Sequence, residues 1–306
     1  MKHTSRGIAL KLGATVAFSL MYVLIRLAGH VPVGEVVFFR GAFALLPLWA
    51  YALYSRGSTR AMMRTTRPWL HLRRSVAGTA SMFLNFAAVT RLPLADVTAF
   101  SFVMPIFAVV LAALMLGEKV GPHRALAVVI GFGGVLLMVE PHGGIGFGWG
   151  FGAVAGLATG SSLGAAFALS GAFLSAFVVV FIRQMSTTET SEAIIFYFMT
   201  VCAAAGAVTM LWSRTPLDAE QTVLLILCGV LGGIGQLFMT YSYRYAEPSL
   251  LAPFDYAAML WAVALGYVVF AEVPERIVLA GAGVVIVSGL YLVWRERRLR
   301  LAASIP

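Results

Sequence analysis

The chain has 306 residues, 60% of them hydrophobic and only 11% charged, against roughly 45–50% and ~25% in soluble domains. That balance excludes a soluble globular protein. The formal charge of +9 falls in short stretches between apolar runs, where basic residues orient helices in a bilayer, and this argues against nucleic acid as a partner. Hydrocarbon solvates no backbone N–H or C=O, so unbroken apolar runs of about 20 residues specify helices, not the ~10-residue alternating strands of a barrel.

Ten spans are predicted, at 7–28, 33–54, 69–90, 94–116, 122–140, 163–184, 190–212, 219–243, 248–270 and 276–294. Lys2, Arg6 and Lys11 precede the first run as in a signal peptide. No small-x-small site follows Leu24, and Arg26 comes next, so the run reads as an uncleaved helix. With the N-terminus inside, 17 of the 22 Lys and Arg residues fall on the inner side, four fall outside, and Arg40 lies within a span. This bias places both termini in the cytoplasm. Cys202 and Cys228 sit in apolar runs with no metal-ligand spacing.

The chain repeats itself. At an offset of 154, Gly78 meets Gly232, Phe100 meets Phe254, Leu111 meets Leu265, Glu118 meets Glu272 and Leu136 meets Leu290. Further upstream the offset is 157, pairing Ile25-Arg26 with Ile182-Arg183 and Glu35 with Glu192. Five spans per half is an odd number, so the second copy enters from the opposite side, an inverted repeat with its site expected near the midplane. The expected division is 1–141, a glycine-rich link at 142–162, and 163–306 with a basic tail. The link reads as a connector, because no strand precedes it and no Lys-Ser/Thr closes it.

Gly78, Ser81, Met82, Asn85 and Val89 share one face of the third span, matched by Gly232, Gly235, Gln236, Met239 and Tyr243 on the eighth. Asn85 and Gln236 are carboxamides in apolar helices, and either line a cavity or make an interhelical hydrogen bond. Pro105 frees the carbonyl of Ser101 in the fourth span and predicts a kink. Asp255 reads either as an intramembrane functional carboxylate or as a partner for Arg244 near the cytoplasmic mouth. Arg40, inside the second span, reads either as an intramembrane functional charge or, the favoured reading, as a side chain that snorkels outward from ~10 Å depth or makes a structural pair. Tyr22, Phe86, Phe100, Phe173, Phe177, Phe254, Tyr256 and Trp261 are aromatic candidates for the cavity wall. Glu118 and Glu272, in matched turns, read as structural. The five histidines lie near span ends and form no nucleophile-base pair or ligand spacing, so neither enzyme chemistry nor a metal is expected.

Ala87-Ala88-Val89-Thr90-x-x-Pro93-Leu94-Ala95, Pro105-Ile-Phe107 through Leu116-Gly117-Glu118-Lys119, Ala252-Pro253-Phe254-Asp255-Tyr256 and Phe270-Ala271-Glu272-x-Pro274 together resemble the ten-helix EamA branch of the drug/metabolite transporter superfamily. Phe39-Arg40-x-x-x-Ala44 is similar to its pattern too. The resemblance covers nearly the whole chain. It implies an all-α, ten-helix inner-membrane transporter with two inverted five-helix repeats and a cavity lined by spans 1, 3, 4, 6, 8 and 9. Family members carry amino acids, S-adenosylmethionine, riboflavin and other metabolites. The uncharged candidates look most like exporters of neutral and aromatic amino acids. The expected substrate site is Ser19, Tyr22, Met82, Asn85, Phe86, Phe100, Ser101, Phe177, Gln236, Asp255, Tyr256 and Trp261. A small molecule and the bilayer are the expected partners, with no cofactor. A carrier of S-adenosylmethionine, riboflavin or a nucleoside, or a passive channel, stays as the alternative. Gly131, Gly133, Gly134, Gly281 and Gly283 could pack helices within or between copies, so a homo-oligomer is also open.

Overall fold

The computed structural model describes residues 2–56, 63–116, 122–139, 160–185, 188–245, 251 and 254–303. Among them the main elements are α1 (Lys2–Leu27), α2 (Val33–Arg56), α3 (Pro68–Val89), α4 (Leu94–Ser101), α5 (Met104–Leu116), α6 (Pro122–Val139), α7 (Gly160–Met185), α8 (Ser191–Thr209), α9 (Ala219–Tyr245), α10 (Ala257–Phe270) and α11 (Arg276–Ala303). No strand occurs among the described residues. The turn around Glu118, most of the glycine-rich link and Pro253 lie outside them, as do the side chains of Pro105, Arg183 and Arg244.

Local chemistry sets the helix ends. Pro68 opens α3, where a missing N–H costs nothing. Thr190 caps α8 by accepting the Ala193 N–H at 3.3 Å. At the end of α10, Ala271 takes the left-handed conformation (φ 53°), and the Glu272 N–H returns to the Gly266 carbonyl at 3.0 Å. The expected kink of the fourth span is a two-residue interruption between α4 and α5. Phe102 and Val103 tighten onto Ala99 and Phe100 through three-residue bonds of 3.1 Å, and Pro105 stands second in α5, where it is tolerated. The described sixth-span helix starts at Gly160, earlier than residue 163, and the last one runs past residue 294 through its basic stretch to Ala303.

Each helix finds its main partner in the other half. α1 packs along α9 and α7 along α3; α2 crosses α8 and also meets α9; α6 lies on α11. Exchanging the halves sends α1–α9 onto α7–α3 and α2–α9 onto α8–α3, and returns α2–α8 and α6–α11 to themselves. That is the pairing a pseudo-twofold axis requires. Glycines permit the crossings: a methyl at Gly41 would meet the Ala203 nitrogen at 2.5 Å, and one at Gly134 the Gly281 carbonyl at 2.7 Å. Gly133 and Gly283 face open space.

Five described helical stretches are long and apolar enough to cross a bilayer alone: Ser5–Leu27, Val33–Tyr54, Ser162–Ile182, Ser191–Thr209 and Ala219–Ser242. Leu114, Leu211, Val268 and other large apolar side chains face outward, a surface that lipid solvates and water does not. α3 inverts the soluble pattern. It buries His71, Arg74, Ser75, Thr79 and Ser81 and exposes Trp69, Leu72 and Val76. The molecule is an all-α polytopic membrane protein whose polar groups turn inward.

Candidate functional site

The polar face of α3 is held between α7 and α8. Ser81 donates to the Gly171 carbonyl of α7 at 2.8 Å and lies 2.7 Å from the Ser175 hydroxyl. Asn85, half-buried one turn on, donates from Nδ2 to the Ser81 carbonyl at 2.8 Å and to its hydroxyl at 3.1 Å. Its carboxamide lies so close to Gly171 that a methyl there would approach Nδ2 to 2.6 Å. On the α8 side, Thr79 Oγ1 meets Cys202 Sγ at 3.2 Å.

The predicted site residues fall into three groups. Tyr22 of α1 meets Phe86 of α3 edge to face, centroids 6.3 Å apart. Ser19 is buried on α1 one turn before Tyr22, Met82 is half-buried one turn before Phe86, and Gln236 is buried on α9 one turn after Gly232. A second group is separate: Phe177 stacks edge-on with Phe173 at 5.2 Å, in a small apolar cluster of α5 and α7 that includes Phe107 and Leu111. The third runs from the segment before α10 into α10 itself. There Asp255 pairs with Lys11 of α1 at 2.7 Å. Tyr256 stands edge-on to Phe102 at 5.1 Å, and Trp261 Nε1–H donates to Thr15 Oγ1 at 3.2 Å. Phe100 is fully buried in the main core beside these, whereas Ser101 is exposed at the helix break, its hydroxyl donating to the Thr98 carbonyl at 2.6 Å.

Two charged residues depart from their sequence readings, and Arg74, for which none was given, is buried like them. Lys11, counted with the inner loops, lies within α1 at 2% exposure and is the ionic partner of Asp255, the place expected for Arg244. Arg40 does not snorkel. It is 2% exposed and donates from Nε to Met21 Sδ (3.1 Å), from Nη1 to Met199 Sδ (3.2 Å) and from Nη2 to the Gly232 carbonyl (3.0 Å). It therefore ties α1, α8 and α9 together beside Tyr22. Arg74 is buried equally and lies over the Phe198 ring, 3.8 Å from its centroid. Neither arginine was among the predicted site residues. The signal that could have found Arg40 was its position inside a span.

Carboxylates fasten the helix ends. Glu272 forms an ion pair with Arg26 and accepts the Leu94 N–H at 3.1 Å, joining the ends of α1, α4 and α10; the Arg26 guanidinium also covers Phe270 at 4.6 Å. Glu35 accepts the Thr215 N–H at 2.6 Å, and its repeat partner Glu192 accepts the Tyr241 hydroxyl at 2.7 Å. Outside the spans, Glu189 accepts from Thr66 N–H and Oγ1 at 3.0 and 2.9 Å and meets His71 Nε2 at 3.1 Å. Burial pushes the Glu189 carboxyl up, but the bonds from His71, Thr66 and Thr65 outweigh it and hold it at about 2. Among the described residues no cluster of His, Cys, Asp or Glu could hold a metal ion.

Interleaved halves, inward polar faces and glycine crossings define a polytopic membrane protein built from two repeats. The chain belongs to the EamA-like transporter family, which matches residues 5–140 and 162–295; such proteins are multi-pass and, in bacteria, reside in the inner membrane. A pseudopaline exporter of Pseudomonas aeruginosa is 29% identical over 289 residues, covering 94% of this chain and 95% of that one. An S-adenosylmethionine uptake transporter of Rickettsia prowazekii is 23% identical over 265 residues (86% and 84%). A riboflavin transporter of Rhizobium johnstonii is 26% identical over 290 residues (93% and 90%). A crystal structure covering 96% of this chain and 99% of its own shares the fold, with a TM-score of 0.65 at 19% identity.

Proposed function

We propose that the protein exports small metabolites, foremost neutral and aromatic amino acids, by alternating access. The observation that carries this reading is the inward polar side of α3, where Ser81 and Asn85, one turn apart, meet α7 and buried Thr79 meets α8, with the Tyr22–Phe86 aromatic pair beside them. Hydroxyls and carboxamides would bind the polar end of a substrate, and the aromatic edges its side chain. The halves 1–141 and 163–306 would rock about the pseudo-twofold axis, with 142–162 as their link. The excess of inner Lys and Arg supports cytoplasmic termini. Carriage of a larger metabolite is the second reading, favoured by the pseudopaline, S-adenosylmethionine and riboflavin transporters among the relatives.

The test uses Asn85→Ala and Gln236→Ala. An interhelical hydrogen bond in a membrane is worth ~0.6 kcal/mol on average, so both variants should insert and elute as the wild type does. Their flux should fall by about tenfold, a loss of ~1.4 kcal/mol of substrate binding. Unchanged flux in both variants would refute the assignment.

A further inference from the structure

Among the described residues, two buried arginines have no carboxylate partner. Lys11 and Arg26, which also turn inward, have Asp255 and Glu272. Among the described residues no ion pair involves Arg40 or Arg74. Two of the three nitrogens of Arg40 are directed at thioether sulfurs, which are weak acceptors. Arg74 leaves Nε and Nη1 with no hydrogen-bond partner. A buried guanidinium is costly unless paired, and one inside a membrane protein calls for a functional account.

The two arginines share one neighbour type, a repeat-matched glycine. Gly78 and Gly232 occupy the same position in the two repeats. A side chain at Gly232 would collide with the Arg40 guanidinium, and one at Gly78 would press on Phe198 and reach Arg74 Nη1 at 3.4 Å. The room that the matched glycine provides is thus taken up by Arg40 at Gly232 and by Phe198, which lies on Arg74, at Gly78. Cys202 of α8 lies within electrostatic reach of both guanidiniums.

We propose that Arg40 and Arg74 form an anion-binding site on the α8 side of the transport route that takes a carboxylate of the carried metabolite. The planar guanidinium fork matches a carboxylate in geometry and charge. In the structure Met21, Met199 and the Gly232 carbonyl hold Arg40 in place of the ligand, and Phe198 covers Arg74. The inference rests on the transporter reading and sharpens its substrate class to carboxylate-bearing molecules.

Cys202 serves as the reporter, in full-length Cys228→Ser protein reconstituted in liposomes. Two methanethiosulfonate reagents are compared, one bearing a sulfonate and one a trimethylammonium group. The sulfonate reagent should label Cys202 at least ~10-fold faster, and L-phenylalanine should slow labelling where L-phenylalaninamide does not. In Arg40→Gln and Arg74→Gln the rate ratio should fall toward one, while Arg40→Lys and Arg74→Lys should keep most of it. Equal rates with the two reagents, no labelling by either, or equal protection by acid and amide would overturn the proposal, and these readings require no arginine variant to fold. Charge-selective labelling without flux of any amino acid would support the site and remove the amino-acid reading. Flux that carries amino acids and their amides equally would leave transport standing and remove the site.

Discussion

Glu272→Gln isolates the charge in the contact that joins α1, α4 and α10. The glutamine oxygen can still accept the Leu94 N–H, now 3.1 Å from the carboxylate, so what is lost is the pairing with Arg26. Both side chains are about one-fifth exposed (21% and 18%). The pair is therefore worth more than the ~0.5 kcal/mol of a surface bridge and less than the several kcal/mol of a dry one, about 1–2 kcal/mol. If it holds that side closed, its loss shifts the balance toward the open state by about 5–30-fold. Cys202, fully buried in this arrangement, reports the shift. In a Cys228→Ser background, an impermeant thiol reagent applied from the side bearing Glu272 should react 5–30 times faster in the variant, with no gain from the opposite side. Unchanged rates, or a rise from both sides, would refute the reasoning.

Lys11→Met and Asp255→Asn should be non-additive in thermal stability: the two spans they join are tied by one 2.7 Å pair, and a double-mutant cycle should return a coupling of ~1–3 kcal/mol. Additive losses would mean that the pair contributes nothing. Glu189 contributes to stability through its ionised form, because its carboxyl is held at about 2 in the folded protein, below the ~4.3 of an unfolded chain. That contribution is present above pH ~4.3 and is lost as pH falls from there toward 2. The Tm gap between wild type and Glu189→Gln should accordingly narrow through this window, and a constant gap would contradict the assignment. Ala271→Gly should raise stability by about 1 kcal/mol, since it relieves a left-handed alanine at the end of α10; a lower Tm would show that the alanine methyl is needed there.

The helices and their order were legible because hydrocarbon imposes run length and the repeat imposes correspondence. The break at Phe102–Val103 was half legible: Pro105 announced a disturbance, but the tightened turns that absorb it depend on the packing of Phe100 and Phe102 in the core. Arg40 was misread because depth along one helix cannot reveal which groups other helices bring to it. Its partners Met21, Met199 and Gly232 come from α1, α8 and α9. Lys11 was misread for the same reason, its partner lying 244 residues along the chain at Asp255. Helical spacing could group residues around Asn85 and Gln236 into candidate faces but could not give their neighbours, because rotation about each helix axis is set by close contacts such as Gly171 on Asn85. Likewise, Phe177 reads from sequence like Tyr22, yet it packs with Phe173 and Phe107 in a cluster of its own.

The most direct test is uptake of labelled neutral and aromatic amino acids into proteoliposomes, with and without an imposed pH gradient. The account predicts saturable uptake with competition across the panel, reduced about tenfold in Asn85→Ala and Gln236→Ala. Uptake of no member of the panel, beside uptake of S-adenosylmethionine, riboflavin or a nucleoside, would contradict the amino-acid reading; flux that never saturates would contradict alternating access.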